Sequence, residues 1–167
     1  MANTQSMCTS FMGELLVGAH QFGAVTLISR TSLTAPTTDT FKAALYLASA
    51  TMNAGTTVYT ATGEVSGTNY TAGGVTVTNA TAPTATNSSA TAGVAYWTPS
   101  ASFVYTTVTL ATAFDTVLLY NSTQTVGGVG RAVSVHTFGS QTITAGTFTL
   151  TMPVNATTTA LLRLATT

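Results

Sequence analysis

Phe41-Lys42-Ala43-Ala44-Leu45-Tyr46-Leu47 sets apolar side chains at alternate positions, Phe41, Ala43, Leu45 and Leu47. In an extended chain, successive side chains point to opposite faces, so these four form one continuous apolar face and the segment reads as a strand. A helix is the weaker alternative. Downstream, Thr57-Val58-Tyr59-Thr60, a turn near Gly63, Gly67-Thr68-Asn69-Tyr70 and the pair Gly73-Gly74 before Val75-Thr76-Val77-Thr78 form a hairpin-like series. Further strands are expected at Val94 to Trp97, Ser102 to Leu110, Thr116 to Tyr120 and Ala132 to Phe138. Thr142-Ile143, Gly146 to Met152 and Ala160 to Leu164 close the set, and Gly127-Gly128-Val129-Gly130 reads as a hairpin tip. Seven to nine short strands separated by turn signals predict a mainly β chain, an antiparallel β-sandwich or jelly-roll-like domain with one N-terminal helix.

Upstream lies the one convincing helix. Phe11, Met12, Leu15, Leu16, Ala19 and Phe22 recur at three- and four-residue spacing across Thr9 to Phe22. Thr9 or Ser10 is the expected cap, Glu14 sits near the positive end, and Gly18 and Gly23 weaken and stop the helix. Between helix and sheet, Val25-Thr26-Leu27-Ile28 reads as a short strand, followed by an exposed loop around Pro36. Asn79 to Gly93 is nearly all Ala, Thr, Asn and Ser, too poor in apolar area for a core element, and is expected to be a loop. Residues 1–167 are therefore expected to be a single domain. Residues 1–23 form an N-terminal arm and helix, 24–38 an inserted strand and loop, and 39–167 the β-sandwich.

Composition says what kind of work such a domain does. Forty of the 167 residues are threonine, whereas Lys plus Arg number four and Asp plus Glu four; an ordinary soluble domain is roughly a quarter charged. Threonine is branched at Cβ and suits a pleated surface, and its hydroxyl keeps a strand wettable without charge. Zero formal net charge and four cationic side chains leave no patch able to neutralise many phosphates, which argues against nucleic acid. Weak colloidal repulsion fits a protein that lives within an assembly, hence a homo-oligomer. No apolar run reaches the roughly 18 residues of a membrane span, so no membrane partner is expected. The N-terminus lacks a basic segment followed by a long apolar stretch, from which synthesis and folding in a cytoplasm are expected.

Chemistry-bearing residues are scattered. His20 and His136 lie over a hundred positions apart, and the acids Glu14, Asp39, Glu64 and Asp115 fall in separate segments, so neither a metal site nor a paired-carboxylate centre is expected. Gly127-Gly128-Val129-Gly130 lacks the following helix and the Gly-Lys-Ser/Thr ending of phosphate loops. The lone Cys8 is expected to be a small buried apolar side chain. Asn79-Ala80-Thr81, Asn87-Ser88-Ser89, Asn121-Ser122-Thr123 and Asn155-Ala156-Thr157 match a glycosylation triplet, as an Asn- and Thr-rich chain does by chance. Thr-x-Thr repeats such as Thr76/Thr78 and Thr147/Thr149 lack the fixed period of a coiled ice-binding array and read as ordinary strand faces. No catalytic residue and no cofactor are expected, and the chain reads as a non-enzyme.

Four stretches together resemble a widespread family of small tailed-bacteriophage virion proteins. They are Asn3-Thr4-Gln5-Ser6-Met7-Cys8-Thr9-Ser10-Phe11 leading into Glu14-Leu15-Leu16 and His20-x-Phe22; Asp39-Thr40-Phe41-Lys42-Ala43-Ala44-Leu45-Tyr46; Thr60 to Val75; and Leu119-Tyr120-Asn121-Ser122 with Arg131-Ala132-Val133. Residues 24 to 38 look like an insertion against that pattern, and Val126 to Gly130 lengthens the hairpin. The resemblance implies a noncatalytic virion part assembled in the host bacterial cytoplasm. Within it the expected role is a capsid decoration, or cement, protein: a homo-oligomer, expected to be a trimer, bound to the major capsid protein or another virion protein. Its mechanism would be contact area summed over many copies, through apolar and hydrogen-bonded interfaces insensitive to salt.

The candidate capsid or oligomer contacts are Phe11, Met12, Leu15, Leu16 and Phe22. Phe11 is read as an outward anchor whose change to Asp leaves the β domain folded, and the loop from Pro83 to Gly93 faces outward. The alternative within virions is a tail, neck or fibre component contacting host glycans through Tyr59, Tyr70, Tyr96 or Trp97.

Overall fold

The computed structural model describes residues 3–16, 18–20, 22, 38–78, 82–86 and 93–165, with the side chain of Leu16 set aside. The expected inserted strand at Val25 to Ile28, its loop, and the flanks of the Asn79 to Gly93 segment lie outside these residues. The chain is mainly antiparallel β with one short N-terminal helix. Its elements are β1 (Ser6–Met7), α1 (Thr9–Leu16), β2 (Phe41–Leu47), β3 (Val75–Thr76), β4 (Thr84–Ala85), β5 (Val94–Trp97), β6 (Phe103–Val126), β7 (Val129–Leu150) and β8 (Leu162–Ala165). Two sheets result, ordered β1-β7-β6-β2-β3 and β4-β5-β8.

Strand β2 begins and ends where the alternation places it, but its environment differs from the expectation of one apolar face. Ala43 and Leu45 are buried, and so are Ala44 and Tyr46 on the opposite face. The strand runs through the interior, paired to β6 from Phe41↔Asn121 to Leu47↔Phe114 and to β3 at Lys42↔Thr76 and Ala43↔Val75. Tyr46 tolerates burial because its hydroxyl donates to the Thr60 carbonyl at 2.6 Å.

The expected short strands between Ser102 and Met152 are segments of two long ones, while the expected Ala160 to Leu164 strand is the separate β8. β6 and β7 span 24 and 22 residues and meet at the two-residue turn Gly127-Gly128, where φ values of 60° and 81° suit the mirror-image turn favoured between twisted strands. A straight 24-residue strand would be about 80 Å long at 3.3 Å per residue. This hairpin instead doubles back. Phe138 and Phe148, ten positions apart on β7, would stand about 33 Å apart on a straight strand, yet their ring centroids are 5.2 Å apart. Phe114 of β6 joins them, 5.9 Å from Phe138 and 5.2 Å from Phe148. The open end of the hairpin thus forms a layer over the half near the tip. There Tyr105 donates to the Ala43 carbonyl of β2 at 2.8 Å.

Bulges make the bend possible. The β6–β7 register shifts between Tyr105 and Val108, again between Val108 and Leu110, and again on either side of Phe114. Thr107 (φ 52°) and Ala145 (φ 47°) adopt left-handed backbone beside these shifts. Each such residue costs on the order of 1 kcal/mol. The bond from Ala145 N–H to Thr109 Oγ1, at 3.0 Å, offsets part of that cost.

Two expected elements change character. Thr57 to Thr60 and Gly67 to Tyr70 are not regular strands but an excursion touching the sheet through single bridges, Val58↔Arg131, Tyr46↔Glu64 and Thr68↔Thr109. Glu64 ties that excursion together. It accepts from Tyr59 Oη at 2.5 Å, Tyr70 Oη at 2.7 Å and Gly73 N–H at 2.7 Å. The expected outward loop around Pro83 contributes β4, paired to β5 at Thr84↔Tyr96 and Ala85↔Ala95. Backbone pairing supplies what Ala and Thr side chains cannot.

Candidate interaction site

Helix α1 stops at Leu16, six residues earlier than its apolar spacing predicts. Gly18, at φ 70°, accounts for this: its N–H donates to the Leu15 carbonyl at 3.2 Å, and Ala19 N–H donates to the Glu14 carbonyl at 2.9 Å. This paired closure needs a left-handed residue just past the helix, a position where glycine carries no Cβ penalty. The chain then turns back, so His20 and Phe22 reach the sheet instead of extending the helix. At the other end, Cys8 N–H donates to the Val133 carbonyl and Thr9 N–H to the Ala54 carbonyl, at 3.0 and 2.9 Å. Residues before the helix are strapped down too: Asn3 donates to Asp115 Oδ1 at 2.7 Å and accepts from Met52 N–H at 2.9 Å.

Beneath the helix, Phe22 lies 4.5 Å from Phe41, 4.8 Å from Trp97 and 5.8 Å from Phe11, centroid to centroid. Phe11, Phe22 and Trp97 floor an apolar groove between α1 and the β4-β5-β8 sheet, lined also by Leu15, Met7, Leu162 and Leu164. Its volume is about 80 Å³, room for one aliphatic side chain of a partner. Met12 and Leu164 are 46% and 44% exposed, a large fraction for side chains of their size.

A polar chain fastens the helix to the sheet. Arg131 of β7 donates to Glu14 Oε1 at 2.5 Å, and Glu14 Oε2 lies 2.6 Å from His20 Nε2. His20 Nδ1 is 3.1 Å from Asn121 Nδ2, which donates to Asp39 Oδ2 at 2.7 Å, while Gln124 donates to Asp39 Oδ1 at 3.0 Å. Burial lowers the His20 pKa below the usual 6.5, against the opposing pull of Glu14. Burial also raises the Cys8 thiol to about 12, with Glu14 adding to the effect, so this cysteine is a packing residue. His136, with Ser134 Oγ at 2.8 Å from Nε2, is lowered to about 4 by burial.

All four acids therefore act inside the fold. Glu14 serves His20 and Arg131, Asp39 serves Asn121 and Gln124, Glu64 serves two tyrosines and an amide, and Asp115 serves Asn3 and Thr116. Among the described residues no three His, Cys, Asp or Glu are grouped to hold a metal, and no helix is long and apolar enough to cross a membrane. Comparison of the chain with family models, curated proteins and solved structures returns no match.

Of the five residues singled out from sequence, Phe11, Leu15 and Phe22 converge on the groove, and Met12 is exposed. The side chain of Leu16 lies outside the described set. Phe11 and Phe22 require a correction: both are buried in the chain's own core, Phe11 at 2% exposure, so neither is an outward anchor. The early helix stop brings Phe22 back to the sheet, and Phe11 packs edge-on against it and His20. Tyr96, Trp97, Leu162, Leu164, Met7, Pro83 and Ala95 complete the groove and were not singled out as contacts of the helix. Only strand pairing brings β5 and β8 opposite it. Of the aromatics considered for glycans, Tyr59 and Tyr70 are committed to Glu64 and Trp97 is buried.

Proposed function

We propose that this chain is a bacteriophage virion structural protein, a capsid decoration (cement) protein that holds shell subunits together through the α1 groove and self-association. The observation carrying this reading is the division of labour among side chains. The carboxylates are consumed in internal bonds, while an apolar groove stays open with Leu164 exposed on its lining, and Met12 of the same helix is exposed as well. Such a surface adheres by desolvation and shape, at roughly 25 cal/mol per Å² of apolar area covered, and is little affected by salt. A modest contribution per copy becomes large when many copies bridge the same shell. The major capsid protein is the expected partner.

The test uses shells of the encoding phage stripped of this protein. Met12→Glu and Leu164→Glu should each leave the circular dichroism spectrum unchanged and cut the fraction co-sedimenting with shells at least tenfold. Attachment at the wild-type level by both folded variants would contradict the proposal.

A further inference from the structure

We infer that His20 and Asn121 form an acid-sensitive latch that holds α1, Ala19 and Phe22 on the sheet only while the imidazole is neutral. The surroundings of Asn121 set the orientation of its side-chain amide. Asn121 Oδ1 accepts from the N–H groups of Thr123 and Gln124, both at 3.0 Å. Its Nδ2 donates one hydrogen to Asp39 Oδ2 at 2.7 Å, which leaves the other for His20 Nδ1 at 3.1 Å. Rotating the amide by half a turn would put its oxygen against the Asp39 carboxylate and its NH₂ against two amide donors. His20 Nδ1 must therefore accept, and the ring's hydrogen sits on Nε2, donated to Glu14 Oε2 at 2.6 Å.

A second proton can enter only at Nδ1. There it meets the Asn121 donor head-on, and relief requires either the amide or the ring to leave. The charged groups facing the ring pull in opposite directions. Glu14 from the helix and Asp39 before β2 favour imidazolium, whereas Arg131 from β7 and the rings of Phe11, Phe22 and Phe41 disfavour it. Full enclosure of the His20 side chain adds to the second group, and burial outweighs the carboxylates. Because Phe11 and Phe22 floor the groove, releasing the latch opens it, coupling groove shape to acidity.

The sole tryptophan, Trp97, lies 4.8 Å from Phe22 and reports the event. The experiment follows Trp97 emission and amide exchange of residues 9–16 from about pH 8 to about pH 4, with circular dichroism monitoring the sheet. Wild type should lose at least tenfold of its helix protection at a midpoint below pH 6.5, before the sheet signal falls. His20→Gln preserves both bonds without a titrating ring and should abolish that transition, while His136→Gln should retain it. A transition unchanged in His20→Gln, or abolished by His136→Gln, would overturn the latch. Nitrogen NMR of the wild-type ring gives an independent reading: an Nε2–H tautomer at neutral pH is expected, and Nδ1–H would overturn it.

Discussion

Glu64 offers the sharpest test of how the excursion between β2 and β3 is held. Its carboxylate accepts three bonds, and Tyr70 extends the chain inward, since Leu45 N–H donates to Tyr70 Oη at 3.0 Å. Replacing Glu64 by Ala strands the Tyr70 hydroxyl and the Gly73 amide, whereas half-buried Tyr59 can turn to water. An unsatisfied buried donor costs about 1–3 kcal/mol, and losing the packed side chain adds to this. Together the change should cost about 3–5 kcal/mol, a large share of the roughly 5–15 kcal/mol that stabilises a typical domain. In a chain of this size that corresponds to a fall in Tm of about 8–16 °C. Glu64→Gln keeps the shape and one acceptor and should cost about half as much. Equilibrium urea unfolding with unchanged slope is the assay. A loss below about 1 kcal/mol for Glu64→Ala would refute the claim that this carboxylate organises the excursion.

Three further outcomes are expected. Gly74→Ala should prevent stable folding or lower Tm by more than 10 °C or so, because a Cβ there would collide with the Ala43 carbonyl and φ is +73°; a thermal melt decides it. Phe11→Asp places a carboxylate at a 2% exposed site against His20 and Phe22 and should cost several kcal/mol; wild-type stability in urea would contradict the buried placement. Both histidines have pKa values below 6.5 in the folded chain, so the unfolded chain binds more protons as pH falls through that value. Stability should therefore be full above about pH 6.5. The His136 share, up to about 3 kcal/mol for a shift from 6.5 to about 4, should be lost across that window and absent in His136→Gln.

The β character was legible because the physics is local: alternation locates β2 and β5 to the residue, and paired glycines mark the β6–β7 turn. The fold-back was harder to see. Its trace is a phase slip, in which buried Phe103 and Tyr105 are followed by buried Val108 and Leu110, leaving Thr106 and Thr107 exposed together. The strand expected from Ser102 to Leu110 runs straight across this slip, so the bulge went unread. The polar chain from Arg131 to Asp39 left no motif, because its members come together only when the hairpin, β2 and the helix return are in place. Three groove residues were visible as a helical stripe, while Trp97, Leu162 and Leu164 depended on the pairing of strands far apart in the chain.

The central claim is that the protein acts by adhesion, as a many-copy part of a phage shell. Quantitative mass spectrometry of purified particles of the encoding phage tests it most directly. The account predicts hundreds of copies per particle, in fixed ratio to the major capsid protein. A handful of copies, or none, would contradict it.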